Sequence, residues 1–343
     1  MKPPRLTPDL IAQLERTWAH QSNGYVLTMT ETTDTHYVLL LNQIRNWATR
    51  LAKAAPLHFR VETDAQSTLR IRSNALGEAF LKLLRMDLFG ITTHFPCHQL
   101  APEVELVLAS IAQHELAGPS LQQCVLNEWT IAHQVATLNA CAAKIRLALK
   151  QKRFASKVQQ HRKRYTKRCT EIKQYFNRFL AIQPQAQLHQ LELLYSQSHH
   201  PLMATDGTRH EYPLQHWRAL ESSLPGIFSD HLLGYVWQLD YSALLGYRFF
   251  VTFLLTPDQL HTPATLATVK QHWCTKITGG NGLYVDDTYP HLQFTQYRCA
   301  TAHQGWPVPI GEQIPKVAIF YSKPNELLNF AIQGSTPKTF GYG

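Results

Sequence analysis

An α+β fold, mostly helical in its first half and closing on an antiparallel sheet domain, is what this 343-residue sequence predicts. Three observations lead there. Leu233 to Tyr241 and Tyr247 to Leu255 are apolar, strand-like runs flanking a short loop that ends in Gly246, the pattern of a β-hairpin. The first 150 residues repeat apolar positions at helical spacing. Between the two halves lies a basic stretch with a narrow apolar seam, KQKRFASKVQQHRKRYTKRCTEIKQYFNRFL.

Taken in order, Thr7 to Ala19 is expected as a short helix, with Thr7-Pro8 as cap and first turn. Thr35 to Ala55 follows as a helix whose stripe is Leu40, Ile44, Trp47 and Leu51, and Pro56 closes it. His58 to Arg72 alternates like a strand pair. Asn74 to Leu88, ending at Gly90, then Pro102 to His114 and Leu121 to Leu149 continue the helical pattern. In the basic stretch Phe154, Val158, Tyr165, Ile172, Phe176 and Phe179 recur at spacings of four, seven, seven, four and three, which makes one long amphipathic helix. Gln187 to Tyr195 reads as a strand, Trp217 to Leu224 as a short helix, and Pro263 to Thr275 as a helix after the hairpin. Gly279-Gly280-Asn281-Gly282 is a turn whose glycines supply positive φ. Strands are expected at Leu292 to Tyr297 and Val317 to Tyr321, and a helix at Glu326 to Gln333. The chain therefore divides into a mainly helical region (1–150), a long basic helix (151–182) and an α+β domain (183–343). In that domain the hairpin is expected at the centre of an antiparallel sheet with helices on one face.

Composition narrows the class. Apolar residues make up 44% and charged residues 17%, which suits a globular chain and excludes wholesale disorder. No run of eighteen apolar residues exists, so no membrane span is expected. The opening MKPPRLTPDL lacks an apolar h-region, which points to the cytoplasm. Six cysteines without a CxxC pair read as reduced core thiols. The net charge of +9 is concentrated: Lys144 to Lys173 holds twelve Lys or Arg and one acid, a local +11, so the rest of the chain sums to −2.

That concentration suggests a phosphate-contacting face formed by Lys152, Arg153, Lys157, Arg162, Lys163, Arg164, Lys167 and Arg168, which lie largely off the seam. A simply solvated face is the other reading. Solvated helices normally mix signs, however, and this one has almost no acid before Glu171. Backbone binding of this kind is independent of base sequence and weakens steeply with salt. Elsewhere no metal site is assigned: His199 and His200 are adjacent, so their rings diverge in extended chain, and HExxH is absent. The GxSxG elbow and the GxGxxG and GxxxxGK[ST] phosphate loops are absent as well. In the hairpin Asp240 and Arg248 are the only charges, and the largely apolar character of both faces of the second run argues for a buried strand covered by helices.

GYVWQLDY, GYRFFVTFLLT, VAIFYSKPNELLNFAI and the terminal KTFGYG resemble, over roughly residues 165–343, the inovirus (filamentous-phage) replication-initiator-like family, which also occurs on bacterial prophages. In that family a YVW-x-x-E strand leads into a His-Tyr-His strand, a Ser-Tyr-Leu-Ala-Lys helix and an Arg-x-Phe-Gly ending. The resemblance implies an HUH-endonuclease-like, RRM-like sheet in which two histidines hold Mg or Mn and a tyrosine attacks single-stranded or origin DNA. The metal would stabilise charge developing on the phosphate, and the tyrosine would form a phosphotyrosine. Phage or host replication proteins are the further partners it implies. Carried over by position, Tyr235, Val236 and Trp237 match the strand motif and Asp240 stands at the carboxylate. Tyr247 and Phe249 stand at the two histidines, with Arg248 between them. The tyrosine position falls near Asn325, or Phe330 in another alignment, and Tyr321 is the tyrosine at hand, with Lys323 close by. The resemblance thus implies a DNA-binding protein whose nicking activity is lost or altered. An active nickase using Tyr321 and Asp240 with recruited histidines, such as His199, His200 or His291, is the alternative. A third reading makes the basic helix a docking element for an acidic protein.

Overall fold

The computed structural model describes residues 33–54, 59–63, 69–116, 128–196, 211–242, 246–257, 262–286, 310–322, 327–330 and 339–343. The expected helix Thr7–Ala19 and strand Leu292–Tyr297 lie outside these residues. The chain clusters into two compact units, one containing residues 36–96 and 100–164, the other 97–99 and 165–343.

The first unit is largely helical, as expected. Helix α1 (Thr33–Lys53) buries Leu40, Leu41, Ile44, Trp47 and Leu51, the stripe legible in its sequence. Strands β1 (Arg60–Thr63) and β2 (Leu69–Arg72) form an antiparallel ribbon. Helix α2 (Ala75–Leu84) starts at Asn74, whose side chain accepts from the Leu76 and Gly77 amides, a cap worth about 1 kcal/mol. Phe80 of α2 stacks on Trp47 at 4.5 Å. The single helix expected over Asn74 to Leu88 ends at Leu84. A short helix α3 (Phe89–His94) follows, with the Gly90 amide donating to the Asp87 carboxylate at its start. After β3 (His98–Leu100) come α4 (Pro102–Gln113), with Pro102 in its first turn beside Glu103 and Glu105, and α5 (Glu128–Lys150). Asn139 of α5 accepts from the Phe59 amide and donates to the Phe59 carbonyl, fixing the root of the ribbon.

Helix α6 (Lys152–Leu180) is the long basic helix, 29 residues, and the division between the units falls inside it, after Arg164. The physical reason is in its partners. Lys157 and Arg162 pair with acids of α4 in the first unit, while Ile172 and Phe176 are fully buried in a core cluster of the second.

The second unit contains β4 (Gln187–Tyr195), α7 (Glu211–Phe228), β5 (Leu232–Ser242), β6 (Gly246–Leu255) and α8 (Thr262–Gln271), the last prolonged by a π-helical turn at His272–Ile277. Next come β7 (Gly282–Asp286), α9 (Ile310–Ser322), β8 (Leu328–Phe330) and β9 (Phe340–Tyr342). Five strands form one sheet in the order β7-β4-β6-β5-β9, every pair antiparallel. The β4-α7-β5-β6-α8-β7 segment is therefore a split βαβ arrangement of the RRM-like kind, with β6 in the middle of the sheet. Gly279 and Gly280, at φ +60° and +93°, make the turn into β7.

Two expectations are corrected here. Helices cover both faces of the sheet, not one: α7 and α8 pack on Tyr247, Phe249, Val251 and Phe253, and α6 and α9 pack on Phe250 and Leu254. The alternation of β6 places apolar side chains on both sides, and each side needs a cover. At the C-terminal end, Val317 to Tyr321 is helix and 328–330 is strand, the reverse of the expectation. Ile314, Val317, Ala318 and Tyr321 form a buried helical stripe, and β8 is recruited by pairing with β3, a partner some 230 residues upstream.

Candidate functional site

The hairpin register decides which side of the sheet each candidate occupies. Asp240 pairs with Arg248, Tyr241 with Tyr247, and Leu239 with Phe249. Tyr247 and Phe249 point into the core beneath α7 and α8 and are 2% and 0% exposed. Phe249 is enclosed by rings: Trp217 at 5.4 Å, Trp273 at 5.9 Å and Trp237 at 6.2 Å. Tyr247 lies beside Cys97, and burial pushes its phenol far above the ordinary value, with Cys97 adding to the effect. Such a phenol stays protonated and makes a poor metal ligand.

Arg248 and Asp240 face the other side. The Arg248 guanidinium donates from Nη2 and Nε to Asp240 Oδ2 at 2.7 and 3.1 Å. Nη1 stands 3.8 Å from Glu192 Oε1, and His98 Nε2 stands 3.1 Å from Asp240 Oδ1. These side chains are only 4% to 18% exposed. Burial alone would raise the Asp240 carboxyl, but Arg248 and then His98 outweigh it and hold the group well below the usual carboxylate range. Asp240 is thus a fixed anion whose two oxygens are engaged by the fold, with the Arg248 guanidinium also lying 5.0 Å over the Phe250 ring. Arg248 could be paired with Asp240 from the hairpin register alone. His98 and Glu192 were missed. Nothing in the local sequence marks His98, because its partner is 142 residues away.

Tyr321 of α9 is fully buried on the same side of the sheet as Asp240. Its hydroxyl is 2.9 Å from Thr252 Oγ1 and donates to the Val236 carbonyl at 3.3 Å. Val236 lies four residues from Asp240 along β5, about 13 Å in an extended strand. The four family-site positions therefore do not converge: Tyr247 and Phe249 occupy one face of the sheet, and Asp240 and Tyr321 lie apart on the other. His199, His200, His291, Lys323 and Asn325 lie outside the described residues, as does the side chain of Phe330. Among the described residues no group of three or more His, Cys, Asp or Glu is placed to hold a metal ion. Cys97, Cys141, Cys169 and Cys274 are free thiols, as expected of core cysteines.

The basic helix is different in kind. Lys152, Arg153, Lys157, Arg162, Lys163, Arg164 and Lys167 are all exposed on α6. Three have acid partners: Lys157 with Glu105 at 2.8 Å, Arg162 with the buried Glu103 at 3.3 Å, and Lys167 with Glu171 at 3.6 Å. Arg168 is half-buried with its guanidinium 4.3 Å over the Phe340 ring. Burial lowers its pKa to about 10 against the opposing effect of Glu171. Among the described residues no acid pairs with Lys152, Arg153, Lys163 or Arg164. Phe154, Val158 and Tyr165 are half-buried, so the seam is packed and the cations stand clear of it. Glu103 and Glu105 were not foreseen as partners. Their only signal was a Pro-Glu-x-Glu helix start, which marks a first turn and says nothing of what faces it.

Among the described residues, no helix is long and apolar enough to cross a membrane. No family model, curated protein or solved structure matches this chain.

Proposed function

We propose that this chain is a DNA-binding protein built on a replication-initiator-like scaffold whose nicking chemistry is lost or altered. The observation that carries the reading is the exposed face of α6, where Lys152, Arg153, Lys163 and Arg164 have no acid partner among the described residues. Cations that neutralise no protein acid are free to neutralise phosphates, releasing counterions from the nucleic acid. The loss of nicking is supported by Tyr247 and Phe249, which are core side chains, and by Tyr321, whose hydroxyl is engaged by Thr252 and Val236. In this reading the protein works in the bacterial cytoplasm, encoded by a phage or prophage, alongside phage or host replication proteins.

The test is a binding titration on duplex and single-stranded DNA across a salt series. Affinity is expected to fall with the logarithm of salt concentration, with a slope of about −0.7 to −0.9 for each phosphate neutralised. Salt-insensitive or absent binding overturns the reading. Incubation of single strands with Mg or Mn is expected to leave no covalent protein–DNA adduct. An adduct that disappears in Tyr321→Phe would establish the active nickase instead. A pull-down of an acidic protein that survives nuclease, from a chain that fails to bind DNA, would establish the docking reading.

A further inference from the structure

Strand β9 is the outermost strand of the sheet beside β5, with Phe340 opposite Gln238 and Tyr342 opposite Val236. Both aromatic rings therefore project on the side of the sheet that α6 covers. Arg168 lies over Phe340 at 4.3 Å, and Tyr175 packs against Tyr342 with ring centroids 4.9 Å apart. The Tyr175 hydroxyl also donates to the Gly343 carbonyl, and β9 continues its pairing with β5 through Gly343 and Tyr235, so Tyr342 is held on a rigid support. Yet Tyr342 remains 46% exposed, a large aromatic side chain left in water on an edge strand.

Its surroundings are cationic. At 3.6 residues per turn Arg164, Arg168 and Tyr175 fall within about 40° of one another on α6, with Lys167 on the flank. Arg178 adds charge within about 60° of Tyr175 on the same helix, and Glu171 is the one acid between Arg164 and Arg178. A line of cations that leads to an exposed, backed aromatic ring is the combination that binds a nucleic-acid strand whose bases are free to stack. A duplex offers no such bases, because its ring faces are already covered by their neighbours.

We infer that Tyr342, backed by Tyr175 and flanked by the Arg168–Phe340 pair, is a stacking site for an unpaired nucleobase. This rests on the nucleic-acid reading above. The shared chemistry is an unpaired base on a phosphodiester backbone, whether DNA or RNA.

The experiment is an anisotropy titration of labelled oligodeoxythymidylate, oligouridylate and a duplex of mixed sequence. The proteins are wild type, Tyr342→Ala, Tyr342→Phe and the double variant Lys163→Gln/Arg164→Gln, each checked for an unchanged unfolding midpoint. Tyr342→Ala is expected to weaken binding to the single strands about tenfold and to leave both the duplex affinity and the salt slope unchanged. Tyr342→Phe is expected to bind single strands like wild type, since the ring face and not the hydroxyl makes the contact. The double variant is expected to lower the salt slope on every probe by roughly 1.4 to 1.8. The preferred single strand identifies the source of the base. If Tyr342→Ala binds single strands like wild type, or loses as much on the duplex, the stacking site is overturned while salt-dependent binding stands. If wild type binds none of the probes, both readings fall.

Discussion

The hairpin centre and the exposed face of α6 both carry charge, and they handle it in opposite ways. Around Arg248 each charge is spent inside the fold: Asp240 engages both Arg248 and His98, and Glu192 stands behind the guanidinium. On α6, Glu103, Glu105 and Glu171 take Arg162, Lys157 and Lys167, while Lys152, Arg153, Lys163 and Arg164 have no acid partner among the described residues. Charges buried in a sheet must be matched or they destabilise it, whereas charges on an exposed helix cost little when unmatched. The difference teaches where to look for outward function: in the groups that folding does not use.

The comparison breaks first if the hairpin tolerates substitution. Phe249→Ala should destabilise the protein by about 3 to 5 kcal/mol in urea unfolding, because it empties a site enclosed by three indoles. Replacing Tyr247 and Phe249 together by histidine, the residues of the resembled motif, should also destabilise, and Mg or Mn should not raise the unfolding midpoint. A metal-induced rise would mean that this face can still form a site.

Arg248→Met comes next, at about 3 kcal/mol, since it removes the guanidinium that faces Asp240 and Glu192 and leaves Asp240 only its His98 contact among those described. The same pairing has a pH signature. Asp240 titrates lower in the folded than in the unfolded chain, so its stabilisation is present above about pH 4 and is lost as pH falls below that value. The gap in urea midpoint between wild type and Asp240→Asn should therefore narrow in acid.

His189 supplies a separate titration. Burial holds its pKa at about 4, against 6.5 in the unfolded chain, so the unfolded state takes up the proton first. Stability should fall by roughly 2 to 3 kcal/mol as pH drops from 6.5 towards 4, and His189→Leu should flatten that slope.

Tyr321→Phe is expected to cost about 1 to 2 kcal/mol, the loss of its hydroxyl contacts with Thr252 and the Val236 carbonyl. The smallest effect sharpens the contrast most. Substituting glutamine for Lys152, Arg153, Lys163 and Arg164 should change stability by less than about 0.5 kcal/mol for each residue. The same variant should bind nucleic acid far more weakly at low salt. A large loss of stability instead would assign those cations to folding.

The sequence by itself determined the hairpin, the β4 strand, the helical first half and the long basic helix. Each is written in local periodicity: strand pairing across a short loop ending in Gly246, or seam residues at steps of three, four or seven from Phe154 to Phe179. It also showed Asp240 and Arg248 as the only charges of the hairpin, and the register of the folded hairpin then set them opposite each other. Only the tertiary structure decided what covers each face of β6, that His98 would reach Asp240, and that β8 would be a strand. It also decided that Glu103 and Glu105 would claim Arg162 and Lys157. These outcomes depend on segments tens to hundreds of residues apart, and such contacts leave no period in the chain. The site positions show the same limit. The resemblance carried Tyr247, Phe249, Asp240 and Tyr321 over together as candidates, but strand alternation and the placement of α9 set them on different faces and different rungs of one sheet.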